Sequence, residues 1–368
     1  MTVNHDEPLP TRALFSSAFF SRAILGAALI AAHAGCSGEG SSGTGGGSSG
    51  PAWQTVENDV SLGAAALAAW GTGPSDVYVV GGPLGDPGGA SLALHFDGER
   101  WTKMPVSGAD SFWWVTGSSK DDVWMVGEKG RVTRWDGSAF IELPRPATST
   151  IWGVWAAGPD DAYVVSGTPG KGVSSPNDLI FHWDGKGWTQ QTLPGPPRGA
   201  SINKIWGASP GDVYAVGEQA TIWHLVGSSW QLEPAPEGTS NLFSVSGCSA
   251  TDIYAAGGDV LLHSDGKTWS RVTSFTIAGT ADGVYCVGPG EVLVVGFGGM
   301  KARLSGGEWH NDFKSRPYDA DFHGAWADGE GALWALGGDF LSGPHESGDP
   351  RRATIGRYAR DTIAPIPF

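Results

Sequence analysis

The chain has 368 residues and carries 38 Asp and Glu against 23 Lys and Arg, a formal net charge of −15 at pH 7. A surface this acidic argues against a nucleic-acid binder, which needs a basic stripe to displace counterions, and against unaided adhesion to anionic lipid. With 58 Gly, 18 Trp and only 17% charged residues, and no helical period after the first fifty positions, the composition is that of a turn-rich, aromatic-packed all-β protein.

The chain opens on a segment that does not belong to such a fold. Arg12 and Arg22 precede the apolar run 23–32, and Ala34-Gly35 then lead into Cys36. A charged start, a short apolar stretch and small residues before a cleavage point describe an export signal over residues 1–36. The run is too short to span a bilayer, which takes roughly 20 apolar residues. Cys36 after Ala-Gly resembles the lipobox of bacterial lipoproteins, with His33 standing where that family prefers an aliphatic residue. The resemblance implies acylation at Cys36 and an anchor in the cell envelope; the other reading is an ordinary cleaved signal. Residues 37–51 are a Gly/Ser-rich linker suited to a tether.

From residue 52 to residue 368 one pattern recurs. Trp70 to Gly81 reads WGTGPSDVYVVG, Trp155 to Gly167 reads WAAGPDDAYVVSG, and Trp206 to Gly217 reads WGASPGDVYAVG. The residue before each second strand serves as an anchor: Asp76, Asp122, Asp161, Asp212, Asp252, Glu291 and Ala332, spaced by 39 to 51 residues. Seven strand-rich units of that length predict a seven-bladed β-propeller of four-stranded blades. In repeat five, strand A is expected over 241–246, B over 252–257, C over 259–264 and D over 268–272, with a turn over 247–251. The seventh repeat lacks a last strand, since its tail 363–368 contains Pro365 and Pro367. Trp53-Gln54-Thr55-Val56 matches the missing strand, so the N-terminal strand is expected to close the ring and abolish its open edge.

The C–D hairpins carry Asp-Gly turns with an aromatic residue three positions on: Asp97-Gly98 with Trp101, Asp136-Gly137 with Phe140, Asp184-Gly185 with Trp188, and Asp265-Gly266 with Trp269. Asp-Gly between apolar alternations is a hairpin signal, because both turn positions can adopt positive φ. Ser264-Asp265-Gly266-Lys267-Thr268-Trp269 resembles, one residue shorter, the Asp-box of sialidase-like (BNR-type) propellers. The resemblance implies a fold and says little of activity, and the turn aspartates read as structural. His95, His182, His224 and His263 recur two to three residues before these turns and read as packing on strand C.

The A–B and C–D turns are short and uniform, and they share one face of the ring. The B–C and D–A loops share the other face and vary, the long ones being 82–90, 168–177 and 338–352. Binding residues concentrate on variable loops held by a rigid scaffold, which makes that face the functional candidate. Nine residues before the anchors stand Leu67, Trp113, Trp152, Asn203, Phe243, Asp282 and His323. From Trp113 onward this mixed set, at the mouth of the central channel, is the candidate ligand-binding ring, with Trp113 and Trp152 placed to offer two aromatic faces.

Cys248 and Cys286 both end a first strand in adjacent repeats, so either a disulfide or two buried thiols is open to them. No metal or cofactor is expected, as the histidines lack ligand spacing and no phosphate-cradling motif is present. A sialidase would need three arginines converging on a carboxylate, and Arg351, Arg352 and Arg357 crowd into one repeat. The expectation is therefore a monomeric, non-enzymatic, envelope-anchored propeller that binds a protein or glycan. The alternatives are a glycan-active hydrolase or lyase of the sialidase-like superfamily and a structural envelope component. Replacing Cys36 by Ser is expected to abolish uptake of labelled palmitate and to release the protein from the membrane fraction. Retention in that fraction without labelling of the wild type would contradict the anchor.

Overall fold

The computed structural model describes residues 50–368 except 277–278, 318 and 346–347; the export signal, Cys36 and nearly all of the linker lie outside the described residues. Twenty-eight strands form seven separate four-stranded antiparallel sheets, each a blade. Blade four is representative: strand A is Ile202–Ser209, B is Asp212–Gly217, C is Ile222–Val226 and D is Ser229–Leu232. The six acidic anchors each begin a strand B, as expected, whereas in blade seven that strand starts at Leu333, just after Ala332.

Boundaries shifted in repeat five. Strand A is Ser244–Ser249, three residues later than expected at both ends. Ser249 still pairs with Asp252, because a register shift after Gly247 lets the strand run to a two-residue turn. The glycine and the small residues that signalled a turn belong instead to this bulged strand end.

The ring closes with the N-terminal strand. Ala52–Glu57 pairs antiparallel with Ala353–Ala359, strand C of blade seven, so the first segment of the fold supplies the last blade's outer strand. Trp53 is buried at this seam and its indole N–H donates to Asp312 of blade six at 2.8 Å.

Inside a blade the repeated residues form one polar and aromatic unit. The anchor carboxylates of Asp76, Asp161, Asp212 and Asp252 meet Nε2 of His95, His182, His224 and His263 at 2.7, 2.7, 2.8 and 2.9 Å. Each imidazole lies against the tyrosine two residues after its anchor, Tyr78, Tyr163, Tyr214 or Tyr254, with ring centroids 3.9 to 4.7 Å apart. Blade two makes the same link with Arg134, whose Nε donates to Asp122 at 2.5 Å. Such Asp–His pairs resemble catalytic dyads in isolation, but a pair repeated in four blades at one register is a strand tether. The C–D turn aspartates are equally structural: Asp97, Asp136, Asp184 and Asp265 each accept two backbone N–H groups from their own turn. Those bonds, exceeded at Asp136 by the hydroxyl of Ser138, stabilise the carboxylate and hold each pKa below the usual range.

Between blades, the Trp-Gly dipeptide explains itself. A Cβ placed on Gly117, Gly207 or Gly247 would come within 2.5 to 2.7 Å of the indole of Trp70, Trp155 or Trp206 from the preceding blade. The tryptophan of one strand A thus seats on the glycine of the next, and a methyl group there would force the blades apart. Blade five carries Ser246 in the tryptophan's place. At that interface a disulfide joins Cys248 to Cys286, with Cα atoms 5.5 Å apart, and Ser246 Oγ accepts the N–H of Cys286 at 3.1 Å. A covalent link stands where three other interfaces use an aromatic wedge.

Replacing both cysteines by alanine should therefore cost more than the loss of two small side chains. Cross-linking positions 38 apart is worth about 4 kcal/mol through the unfolded chain, or roughly 5 °C in a protein of this size. Scanning calorimetry under non-reducing conditions checks it, and an unchanged midpoint would contradict the role assigned to the bridge.

Candidate functional site

Strand A is the innermost of each blade, and it is irregular at one place. Its pairing with strand B slips at Leu67, Trp113, Trp152, Asn203, Asp282 and His323, leaving each as the unpaired residue of a β-bulge. In blade five Phe243 sits just ahead of the strand, its N–H donating to Ala256 at 2.8 Å. A bulge re-aims the side chain it carries. Here it turns one residue per blade out of the blade-to-blade packing and towards the central axis. This is why the position departs from the repeat while its neighbours obey it.

Contacts between non-adjacent blades confirm the convergence. Trp113 of blade two lies 5.4 Å, centroid to centroid, from His323 of blade seven. Trp113, Trp152 and His323 of the candidate ring thus meet, and Trp113 and Trp152 stand in a closed apolar plug. Trp113 is 6% exposed and packs with Leu67, Leu84 and Phe340, with Trp152, Phe297 and Leu341 around them. The two tryptophans meet edge to face at 4.9 Å, and the indole N–H of Trp152 donates to Gly167 at 3.0 Å. Their faces are spent on each other and on the plug rather than offered side by side. Asn203 is likewise occupied, its amide donating to Leu242 at 2.9 Å.

Asp282 and His323 of the candidate ring are coupled to a buried lysine, Lys204, that the repeat pattern did not single out. Lys204 is 3% exposed, with Nζ 3.6 Å from the ring centroid of Trp114 and donating to the carbonyl of Trp152 at 3.3 Å. Burial drives its pKa down, against the pull of Asp282. Burial drives the Asp282 carboxyl up, with Lys204 opposing, and one of its oxygens is enclosed without a hydrogen-bond partner. His323 meets the carbonyl of Leu67 through Nδ1 at 2.9 Å, and burial followed by the charge of Lys204 holds its pKa down at about 3. A signal for this centre existed. Lys204 is the charged residue at a strand-A position that holds Ala68, Trp114, Gly153, Ser244, Gly283 and Gly324 in the other blades.

The plug is held by the variable loops themselves. Arg351, fully buried, reaches from loop 338–352 of blade seven to Asp86 in loop 82–90 of blade one, with Nη2–Oδ1 at 2.7 Å and Nε–Oδ2 at 3.0 Å. Nε is shared with the carbonyl of Pro83, and the terminal nitrogens also donate to the carbonyls of Asp339, Ser342 and Gly343. A bidentate, fully satisfied guanidinium buried between two loops is costly to break on one side, because the survivor would be an unpaired buried charge. The pair locks together the loops that carry Leu84 and Phe340. Arg352 pairs with Asp339, and Arg357 with Asp361. The three arginines therefore point to separate partners and do not converge on a common ligand position.

No protein-family model matches the chain, and no curated protein matches it. Solved structures do. A YCF48 described as bound to D1 peptide superposes with a TM-score of 0.61 at 15% identity, over 86% of this chain and 100% of that one. The WD40 repeats of RRP9 give 0.62 at 11% identity, over 84% and 99%. The extracellular domain of the hybrid two-component system BT4673 from B. thetaiotaomicron gives 0.57 at 11%, over 82% of this chain and 39% of that one. The likeness establishes the class: this is a seven-bladed β-propeller, sharing its fold with proteins that include a peptide binder.

The buried pair yields a pH test. Replacing Lys204 by Met removes the cation that restrains Asp282, so the raised folded-state pKa of that carboxyl rises further. A carboxyl raised on folding stabilises at low pH and loses that contribution as pH climbs through its folded value. Because the carboxyl sits at about 7 with Lys204 present, the curves should separate only above about pH 7, where the variant alone goes on losing stability through this carboxyl, by up to about 1.4 kcal/mol per pH unit. Adding Asp282→Asn should flatten the profile. Parallel curves for wild type and single variant, read from melting temperatures, would contradict the coupling.

Proposed function

We propose that the protein is a non-enzymatic propeller, tethered to the cell envelope through a lipid on Cys36, that binds a protein segment through its B–C/D–A loop face. The observation that carries the reading is the interlocked loop pair: Arg351 and Asp86 join two of the long loops over a plugged channel. That arrangement favours a fixed surface on which a partner lies over a chamber into which a substrate enters. The fold neighbour bound to a peptide supports a protein segment ahead of a glycan. The acidic balance of the chain and the tether composition of residues 37–50 support a surface held near a membrane by its lipid and not by its charge.

Loop 168–177 supplies the test. Val173 at its tip is 75% exposed, and the loop is held by Asn177, which bonds the backbone of Thr168, Gly172 and Gly199. Twelve-residue peptides selected from a random display library on the full-length chain should lose tenfold or more in affinity on Val173→Asp. They should be unaffected by Lys120→Glu in an A–B turn. Loss on Lys120→Glu with Val173→Asp silent would place binding on the wrong face.

A further inference from the structure

We infer that a groove on the loop face, running over Arg198 along blades three and four, docks an extended peptide segment carrying a carboxylate between apolar side chains. The inference rests on the loop-face reading and names the partner's chemistry.

Two depressions of about 340 Å³ each meet at Arg198. One is walled by Leu193, Pro194, Pro196 and Pro197, with the buried Trp223 beneath; the other by Leu232, Pro234, Ala235 and Ala220. Leu232 is 42% exposed, among the few large apolar side chains this protein leaves in water. Volumes of this size suit individual side chains or a small ligand. Rigid proline walls lower the ordering cost of binding.

The charge at the junction is uncompensated. Arg198 is held by two bonds, Nε to Thr221 Oγ1 at 3.0 Å and Nη2 to the carbonyl of Gln219 at 2.9 Å. Its Nη1 has no hydrogen-bond partner, and no carboxylate lies within ion-pair distance of it among the described residues. The acids nearby are engaged by other donors, apart from Oδ1 of Asp178, which is enclosed without a partner. Glu218 accepts the N–H groups of Gly170 and Ser201, and Asp178 accepts that of Gly199. Glu233 meets His224 and the indole N–H of Trp269. In a chain with 38 acidic residues, a half-buried arginine that pairs with neither carboxylate of its groove, Asp178 or Glu233, is an electrostatic vacancy that a partner's Asp or Glu fits.

Backbone strain gathers at the same place. Asp178, Gln219 and Ala220 have φ of 56, 57 and 55°, three of the five non-glycine residues with positive φ among those described. All three line the two depressions. Strain of this kind persists where surrounding structure over-determines it, and it collects at ligand clamps.

The test uses an array of twelve-residue peptides in which one Asp or Glu is flanked by Leu, Val and Pro, with matched arrays bearing Asn, Gln or Lys at that place. The full-length chain should bind the acidic set selectively. Arg198→Gln should weaken that binding roughly tenfold, the worth of one charge-assisted contact, and Leu232→Asp by at least as much. Both variants should keep the wild-type melting temperature. Equal binding of acidic and amide arrays, or no binding by the wild type, overturns the inference. Binding that survives both groove variants yet fails on Val173→Asp overturns the groove and leaves the loop-face reading standing. Binding that fails only on Lys120→Glu removes both.

Discussion

The structure depends on one strand pairing. A propeller keeps only short, protected edges when its last blade is complete, and here the first strand of the fold, Ala52–Glu57, completes blade seven by pairing with Ala353–Ala359. Every other feature assumes that closure. The Trp-on-Gly seats hold neighbouring blades at fixed spacing, the plug needs side chains from opposite sides of the axis, and Arg351 bridges blades seven and one across the seam itself.

Constancy and variation are divided by physical task. The anchor, the tyrosine and the strand-C histidine satisfy one another inside four of the blades, so there they recur as a set, and in blades two and seven more than one member changes. Arg134 takes the histidine's role with Asp122, while Arg357, opposite the unanchored Ala332, turns to Asp361. The bulged residue of strand A is released from that accounting because it leaves the blade interface for the axis. It can be Trp, Asn, Asp or His without disturbing its own sheet, and the chain has used this freedom to build a plug over a buried Lys204 and Asp282.

Fold and closure could be read in advance because a repeated pattern is its own control: seven copies of one motif leave few folds, and a missing last strand points to a spare first one. The bulge positions were also visible, as places where residue type stopped following the repeat. Their chemistry was not. Whether Trp113 and Trp152 face solvent or each other depends on Leu84 and Phe340, which arrive from loops with no repeat to register them. Lys204 was one charge inside an apolar strand, and its partner lies 78 positions away in the chain. Strand limits in blade five slipped because a bulge after Gly247 reads locally like a turn. The groove at Arg198 was illegible for a further reason: it is defined by an ion pair that is not made.

The claim on which the account stands is that closure at one seam maintains the whole ring. Hydrogen–deuterium exchange on the chain with and without residues 51–57 tests it most directly. The account predicts that the deletion raises exchange in strand A of all seven blades, including Ile151–Gly158 and Ile202–Ser209 on the far side from the seam. Increased exchange confined to blade seven and its immediate neighbours would contradict it.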